Sequence, residues 1–139
     1  MKLANLQRGG CRRGAEITPL RLASFYTDDL FYSDPTLPNG VTGKKDFIRY
    51  LSKLLANGPD WVLTHESAIP LQDGFLNKWR GDAPVGDQVI TCRGVCTVQI
   101  TDGLIYRNEV YFDMLPLITA IRHWNVGKAG ANGRVTGPT

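Results

Sequence analysis

Tyr32 and Asp34 stand two positions apart in the run Leu30-Phe31-Tyr32-Ser33-Asp34-Pro35, whose pattern predicts a short strand. Alternate residues of a strand share a face, so the phenol and the carboxylate point the same way. A carboxylate turned into apolar surroundings has its charged form disfavoured, which raises its pKa toward the range of a general acid or base. The phenol beside it can hold a substrate oxygen or an attacking water. Asn108 lies on a late predicted strand, on one face with Val110 and Phe112, and can do the same from across the fold. Asp34 is thus the candidate for proton transfer, with Tyr32 and Asn108 as positioning groups. Two of the three also have a purely structural reading. Asp before Pro is good turn chemistry, with a side chain able to cap nearby N–H groups, and a buried Tyr is commonly a core aromatic whose hydroxyl finds a partner.

The remaining reactive side chains are few. Cys92 and Cys96 fall on one predicted strand, about 13 Å apart at ~3.3 Å per residue, which excludes a disulfide between them and a shared metal site. With only His65 and His123 to add, neither a metal centre nor a cofactor is expected. The two thiols are expected to line the interior as small apolar groups, with Val110 and Phe112 beside them. His65 and Trp79 are further candidates for a ligand-binding wall, and their facing stays open. His65 is either a satisfied structural histidine or a base; Trp79 either walls a pocket or fills the core.

Composition narrows the partners. The chain has 139 residues, 42% hydrophobic and 21% charged, with a formal net charge of +3. That charge sits at the ends, on Lys2, Arg8, Arg12, Arg13, Lys128 and Arg134, while the stretch from Glu16 to Val126 is net acidic. A protein that grips phosphate backbone concentrates positive charge on its folded surface, so nucleic acid is not an expected partner. Met1 to Gly14 lacks the apolar run of a signal peptide. No stretch approaches the ~18 apolar residues of a membrane span, and free thiols fit a reducing compartment. A cytoplasmic location without a membrane partner is expected.

The elements that must position these side chains can be read in order. Residues 1–14 read as a flexible basic lead-in, 15–126 as one domain and 127–139 as a Gly-rich tail. Thr18-Pro19 starts a helix carrying Leu22, Ala23 and Tyr26 on one face. After the short strand, the run to Thr42 is turn-rich. Lys44–Asn57 is the clearest helix, with Phe47, Ile48, Leu51, Leu54 and Leu55 as its apolar stripe and Gly58-Pro59 as its stop. Strands follow over Trp61–Ile69, Phe75–Arg80, Gln88–Ile100 and Leu104–Asp113, with Asp73-Gly74 and Asp102-Gly103 as tight turns. Met114–Trp124 closes the domain as a short helix. Helices followed by a meander of antiparallel strands make an α+β layout.

Two segments, Phe25–Pro35 and Asp102-Gly103-Leu104-Ile105 through Tyr111-Phe112-Asp113, resemble the SnoaL-like branch of the nuclear transport factor 2-like superfamily. The resemblance implies a cystatin-like cone, a curved antiparallel sheet with helices around one apolar pocket. It also implies a range of activities: polyketide cyclases, ketosteroid isomerases, limonene epoxide hydrolases and dehydratases share this fold. Asp34-Pro35 is similar to the isomerase base with its proline, and Tyr32-x-Asp34 to the Tyr-x-Asn water-positioning pair of the hydrolases. The chain departs from each pattern at a second residue. Cys96 stands where the isomerases place an acid, and Val110 where hydrolases and cyclases place one. The expected function is a cofactor-independent isomerase, cyclase, dehydratase or hydrolase acting on a small apolar molecule. The alternative is a non-catalytic ligand-binding or dimerisation module. The outward set Arg93, Val95, Thr97, Gln99, Glu109 and Tyr111 is mixed and largely uncharged, and family members often pair there, so a two-fold homodimer through the outer sheet face is expected.

Overall fold

Thr18 caps the first helix as its type suggests, its hydroxyl accepting from the Arg21 N–H at 3.1 Å with Pro19 in the first turn. The computed structural model describes residues 18–57 and 60–136. The basic lead-in and the Gly58-Pro59 stop therefore lie outside the described residues. In chain order the elements are α1 (Pro19–Ala23), β1 (Tyr26–Asp34), β2 (Leu37–Thr42), α2 (Lys44–Asn57), β3 (Val62–Leu71), β4 (Gly74–Val85), β5 (Gln88–Thr101), β6 (Leu104–Phe112) and α3 (Leu115–Thr136).

The six strands form one curved sheet in the order β2-β1-β6-β5-β4-β3. The α+β class stands, but the sheet is mixed rather than wholly antiparallel, because β1 runs parallel to β6. The physical reason lies in the connections. Hairpin turns force each successive strand from β3 to β6 to reverse, whereas β1 reaches β6 through no turn and is free to lie either way.

Four boundaries differ from the sequence reading. Tyr26 opens β1 instead of closing a helix, since α1 ends at Ala23. The turn-rich run through Pro38-Asn39-Gly40 is strand β2; it lies at the sheet edge, where a proline's missing N–H costs no ladder bond. Strand β4 continues through Pro84 to Val85. Helix α3 runs on to Thr136, past Trp124 and into the expected tail.

The core lies between the inner sheet face and the helices. Phe47 and Leu51 of α2 are buried with Tyr26, Leu30 and Tyr32 of β1, Trp79 of β4, Cys96 and Val98 of β5 and Ile105 of β6. The α2 stripe does its work in the first two turns; Leu54 and Leu55 in the last turn are exposed. A second cluster, where Leu117 of α3 covers Ala83, Val85 and Cys92, closes the far end. Alternation along β5 and β6 is as the sequence suggests. Cys92, Cys96, Val98 and Asn108 are buried, while Arg93 and Tyr111 are exposed.

Two glycines let tryptophans lie against the sheet. A Cβ on Gly94 would sit 2.6 Å from Trp79 Cζ2, and one on Gly81 would sit 2.6 Å from the Trp61 ring. Both tryptophans then pack edge-on to Phe112, at 5.4 and 6.1 Å between ring centres.

Candidate active site

Strand register sets the rows of the inner face. One row carries Tyr32 opposite Asn108, Asn108 opposite Val98 and Val98 opposite Phe75. The next carries Val110, Cys96 and Asn77 in line, with Asp34 one residue beyond the Ser33–Glu109 pair. The third holds Phe112, Gly94, Trp79 and His65. Asp34 and His65 therefore stand on opposite flanks of one surface. The sheet holds Tyr32, Asp34, Asn108, Cys96, Val110, Phe112, Trp79 and His65 on this surface.

Asp34 is buried at the end of β1 and is held by four donors. Oδ1 accepts from the Thr36 N–H at 2.8 Å and the Thr36 hydroxyl at 2.7 Å. Oδ2 accepts from the Tyr32 hydroxyl at 2.9 Å and from the Tyr50 hydroxyl. Among the described residues no lysine or arginine forms an ion pair with it. Burial first, and then the adjacent Asp34 charge, push the Tyr32 phenol well above its ordinary value. Tyr50 is pushed up to about 12 by burial and by the hydrogen bond it gives Asp34. Both phenols therefore stay protonated at neutral pH.

Thr36 Oγ1 also lies 2.8 Å from the Tyr50 hydroxyl. One threonine proton faces two acceptors, so the protons of this cluster have more than one arrangement. Rings fix the phenols in place: Phe47 packs at a tilt, 4.7 Å from Tyr26 and 5.1 Å from Tyr32 between ring centres, and Tyr32 lies 5.8 Å from Tyr50.

Asn108 is 1% exposed. Its Nδ2 donates to the Tyr26 hydroxyl at 2.9 Å, and its Oδ1 has no partner among the described residues. Burial drives the Tyr26 phenol far above its ordinary value. A buried acceptor without a donor carries a desolvation cost of about 1–3 kcal/mol, which a bound hydroxyl or water would relieve.

His65 turns inward, which the sequence left open, and its Nδ1 lies 2.5 Å from Asn77 Oδ1. Asn77 in turn donates to Cys96 Sγ at 3.7 Å. Burial pushes the Cys96 thiol up, against the opposing hydrogen bond from Asn77. Trp79 is a buried core residue that also walls this row. Cys92 is not brought to the Asp34 cluster; it packs with Ala83, Val85 and Leu117. An open hollow of about 490 Å³, lined by Asp29, Asp73, Ile100, Thr101 and Tyr106, contains none of the candidate residues.

Sequence reasoning missed Thr36, Tyr50, Asn77 and Tyr26 as partners. Tyr50 stands three residues after Phe47 on α2, so helical spacing already places it beside the buried stripe. Thr36 follows Asp34-Pro35, where an Asp side chain commonly accepts the N–H two residues on. Asn77 needed the phase of β4, which only the pairing with β5 supplies.

The comparisons agree with this architecture. The SnoaL-like domain model matches residues 18–108. A protein from Jannaschia sp. CCS1, a candidate SnoaL-like polyketide cyclase, superposes with a TM-score of 0.69 at 18% identity, covering 86% of each chain. A Catenulispora acidiphila protein of ketosteroid isomerase-like fold, solved with trimethylamine, gives 0.68 at 12% identity over 84% of this chain and 90% of its own. An LEH-like epoxide hydrolase of M. tuberculosis gives 0.59 at 14% identity over 81% and 84%. At such identities the likeness carries the fold and no reaction. No curated protein matches the chain. The family model covers most of the sequence and the strands assemble as in these relatives, so this chain belongs to the SnoaL-like domain family.

Proposed function

We propose that this protein is a cofactor-independent enzyme of isomerase, cyclase, dehydratase or hydrolase type, acting on a small apolar molecule bound against the inner face. Asp34 exchanges the proton, and Tyr32 and Asn108 position the substrate or a water. One observation carries this reading: the buried carboxylate is held by three hydroxyls and a single N–H, with no cation among the described residues. Hydroxyls can hand protons on or swing away, as a fixed cation cannot. The half-exposed Tyr50 is the donor best able to release Oδ2. Cys96, Val110, Phe112 and Trp79 supply the apolar wall, with His65 at its far side.

A second reading has its own support. Two donors on each oxygen fill the roughly four acceptor positions of a carboxylate, as a purely structural anchor in a ligand-binding module would require. Asp34→Asn separates the two. Native mass spectrometry of freshly purified protein identifies a co-purifying molecule, and turnover is then tested on it and on a panel of small epoxides, unsaturated ketones and alcohols. The enzyme reading expects Asp34→Asn to lower turnover by about a hundredfold or more with ligand affinity kept. A molecule held but not converted, with Asp34→Asn only melting earlier, would establish the binding module instead, and turnover undiminished in Asp34→Asn would remove Asp34 as the proton-transfer group.

The same reading includes a two-fold homodimer through the outer face of β5 and β6. Tyr111 there is exposed, beside the Arg107–Glu109 ion pair to which it also donates. Light scattering at tens of micromolar should give twice the chain mass, and a monomer would remove this part. The buried free thiols Cys92 and Cys96 support a cytoplasmic setting. Among the described residues no helix is long and apolar enough to cross a membrane.

A further inference from the structure

Across the inner face from Asp34, three side chains on three strands form a chain whose hydrogens can be assigned. Cys96 is buried and its thiol is pushed up by desolvation, so it keeps its proton. Sγ lies 3.9 Å from the Asn77 carbonyl oxygen, to which the S–H donates. The sulfur lone pairs are then left to accept from Asn77 Nδ2 at 3.7 Å. With its amide N–H₂ committed to sulfur, Asn77 presents Oδ1 to His65 Nδ1 at 2.5 Å. Two acceptors cannot face each other at that distance, so Nδ1 carries the hydrogen and Nε2 is the basic nitrogen of the ring. This is the opposite of the tautomer favoured by a free imidazole. The neighbouring acid, Glu66, is turned away to Arg93 on the outer side, 3.5 Å from its Nε. The β-bulge after His65 breaks the strict alternation at this point.

We propose that His65 is a second proton-transfer group of this inner face, with Nε2 as its basic atom, and that Asn77 and Cys96 are the positioning residues that set its tautomer. The inference rests on the reading of the inner face as a reaction site, but its test does not involve Asp34. On a bound molecule, Nε2 takes a proton from carbon or hydroxyl and the ring becomes an imidazolium. The Nδ1–H bond to Asn77 then strengthens, because its donor is charged. Asp34 and His65 on opposite flanks permit removal of a proton at one end of a substrate and delivery at the other. That is the requirement of a dehydration, an isomerisation or an epoxide opening.

Long-range ¹H–¹⁵N correlation spectra of the uniformly ¹⁵N-labelled full chain at neutral pH read the tautomer directly. Exposed His123 on α3 serves as the internal reference. His65, assigned by the signal lost in His65→Gln, is expected as the Nδ1–H form, and Asn77→Leu should return it to the common Nε2–H form. An Nε2–H signal in the wild-type protein overturns the assignment. Should Asn77→Leu fail to fold, Asn77→Asp decides: it should keep Nδ1–H and raise the His65 pKa, and an unchanged titration overturns the role of Asn77. Access is read with 2-bromoacetophenone, an apolar alkylating probe. The new N–C bond displaces bromide and the Nδ1 proton passes to solvent. Peptide mapping should find the adduct on His65, formed about tenfold more slowly in Asn77→Leu for loss of one charge-assisted hydrogen bond. Labelling of His123 without His65 overturns the claim that Nε2 faces an apolar ligand.

Discussion

At the scale of single residues, the most consequential groups are phenols that the fold keeps protonated. Burial and the bond to Asp34 push the Tyr50 phenol from its ordinary value of 10.0 up to about 12, and Tyr26 and Tyr32 are raised in the same sense. A phenol raised on folding stabilises the native state fully below its unfolded pKa and loses that contribution as pH climbs through the folded value. For Tyr50 the window runs from 10.0 to about 12. Phenolate absorbance and the far-ultraviolet sheet signal, followed together into alkali, should therefore change together for the buried phenols. Complete ionisation near the ordinary value with the sheet intact would contradict this. The inward phase of Tyr32, Asp34 and Asn108 was legible because strand alternation needs only local sequence. Their partners were not, because Tyr50 reaches Asp34 from another element and Asn77 reaches His65 across a pairing whose register includes a bulge.

At the scale of elements, α2 was legible to its last residue: a long amphipathic stripe has no competing reading. Strands β5 and β6 were nearly as plain, since small or apolar residues alternate with polar ones. Strand β2 and the C-terminal half of α3 ran against composition. Pro38, Asn39 and Gly40 argue for a turn, and the glycines after Val126 argue for a tail, yet edge pairing and helical continuation prevail. Gly94 is the element-scale test of packing. An added methyl would meet Trp79 Cζ2 at 2.6 Å, Phe112 Cβ at 2.7 Å and the Tyr111 carbonyl at 2.7 Å. All three neighbours are held in a ring-packed core or a backbone ladder and cannot yield freely. Gly94→Ala should cost about 1–3 kcal/mol of stability, as overpacked cores do, measured by urea unfolding. An unchanged midpoint would mean that Trp79 lies elsewhere.

At the scale of the whole molecule, the family resemblance was carried by two short segments, and they contain the neighbouring strands that join the β2-β1 hairpin to the β3–β6 meander. Phe25–Pro35 contains β1 and Asp102–Asp113 contains β6, paired in parallel from Phe31 opposite Arg107 to Ser33 opposite Glu109. The reaction was less legible than the fold, because chemistry here depends on which hydroxyls and amides converge on Asp34 and His65. The parallel pairing also has a consequence for how the chain reaches its native state. During synthesis β1 leaves the ribosome long before β6 exists, and its Leu30 and Tyr32 must wait for a partner made only after β2, α2 and β3 to β5. At about 5–20 residues per second that wait lasts several seconds. The hairpin series from β3 to β6 can zip by local turns, whereas β1 and β2 dock across a long loop whose closure entropy comes first. Pulse-labelled hydrogen exchange during refolding should protect β4 and β5 before β1, and the reverse order would refute it. On that order the half of the inner face bearing Asp34 assembles last, onto a scaffold that already carries His65.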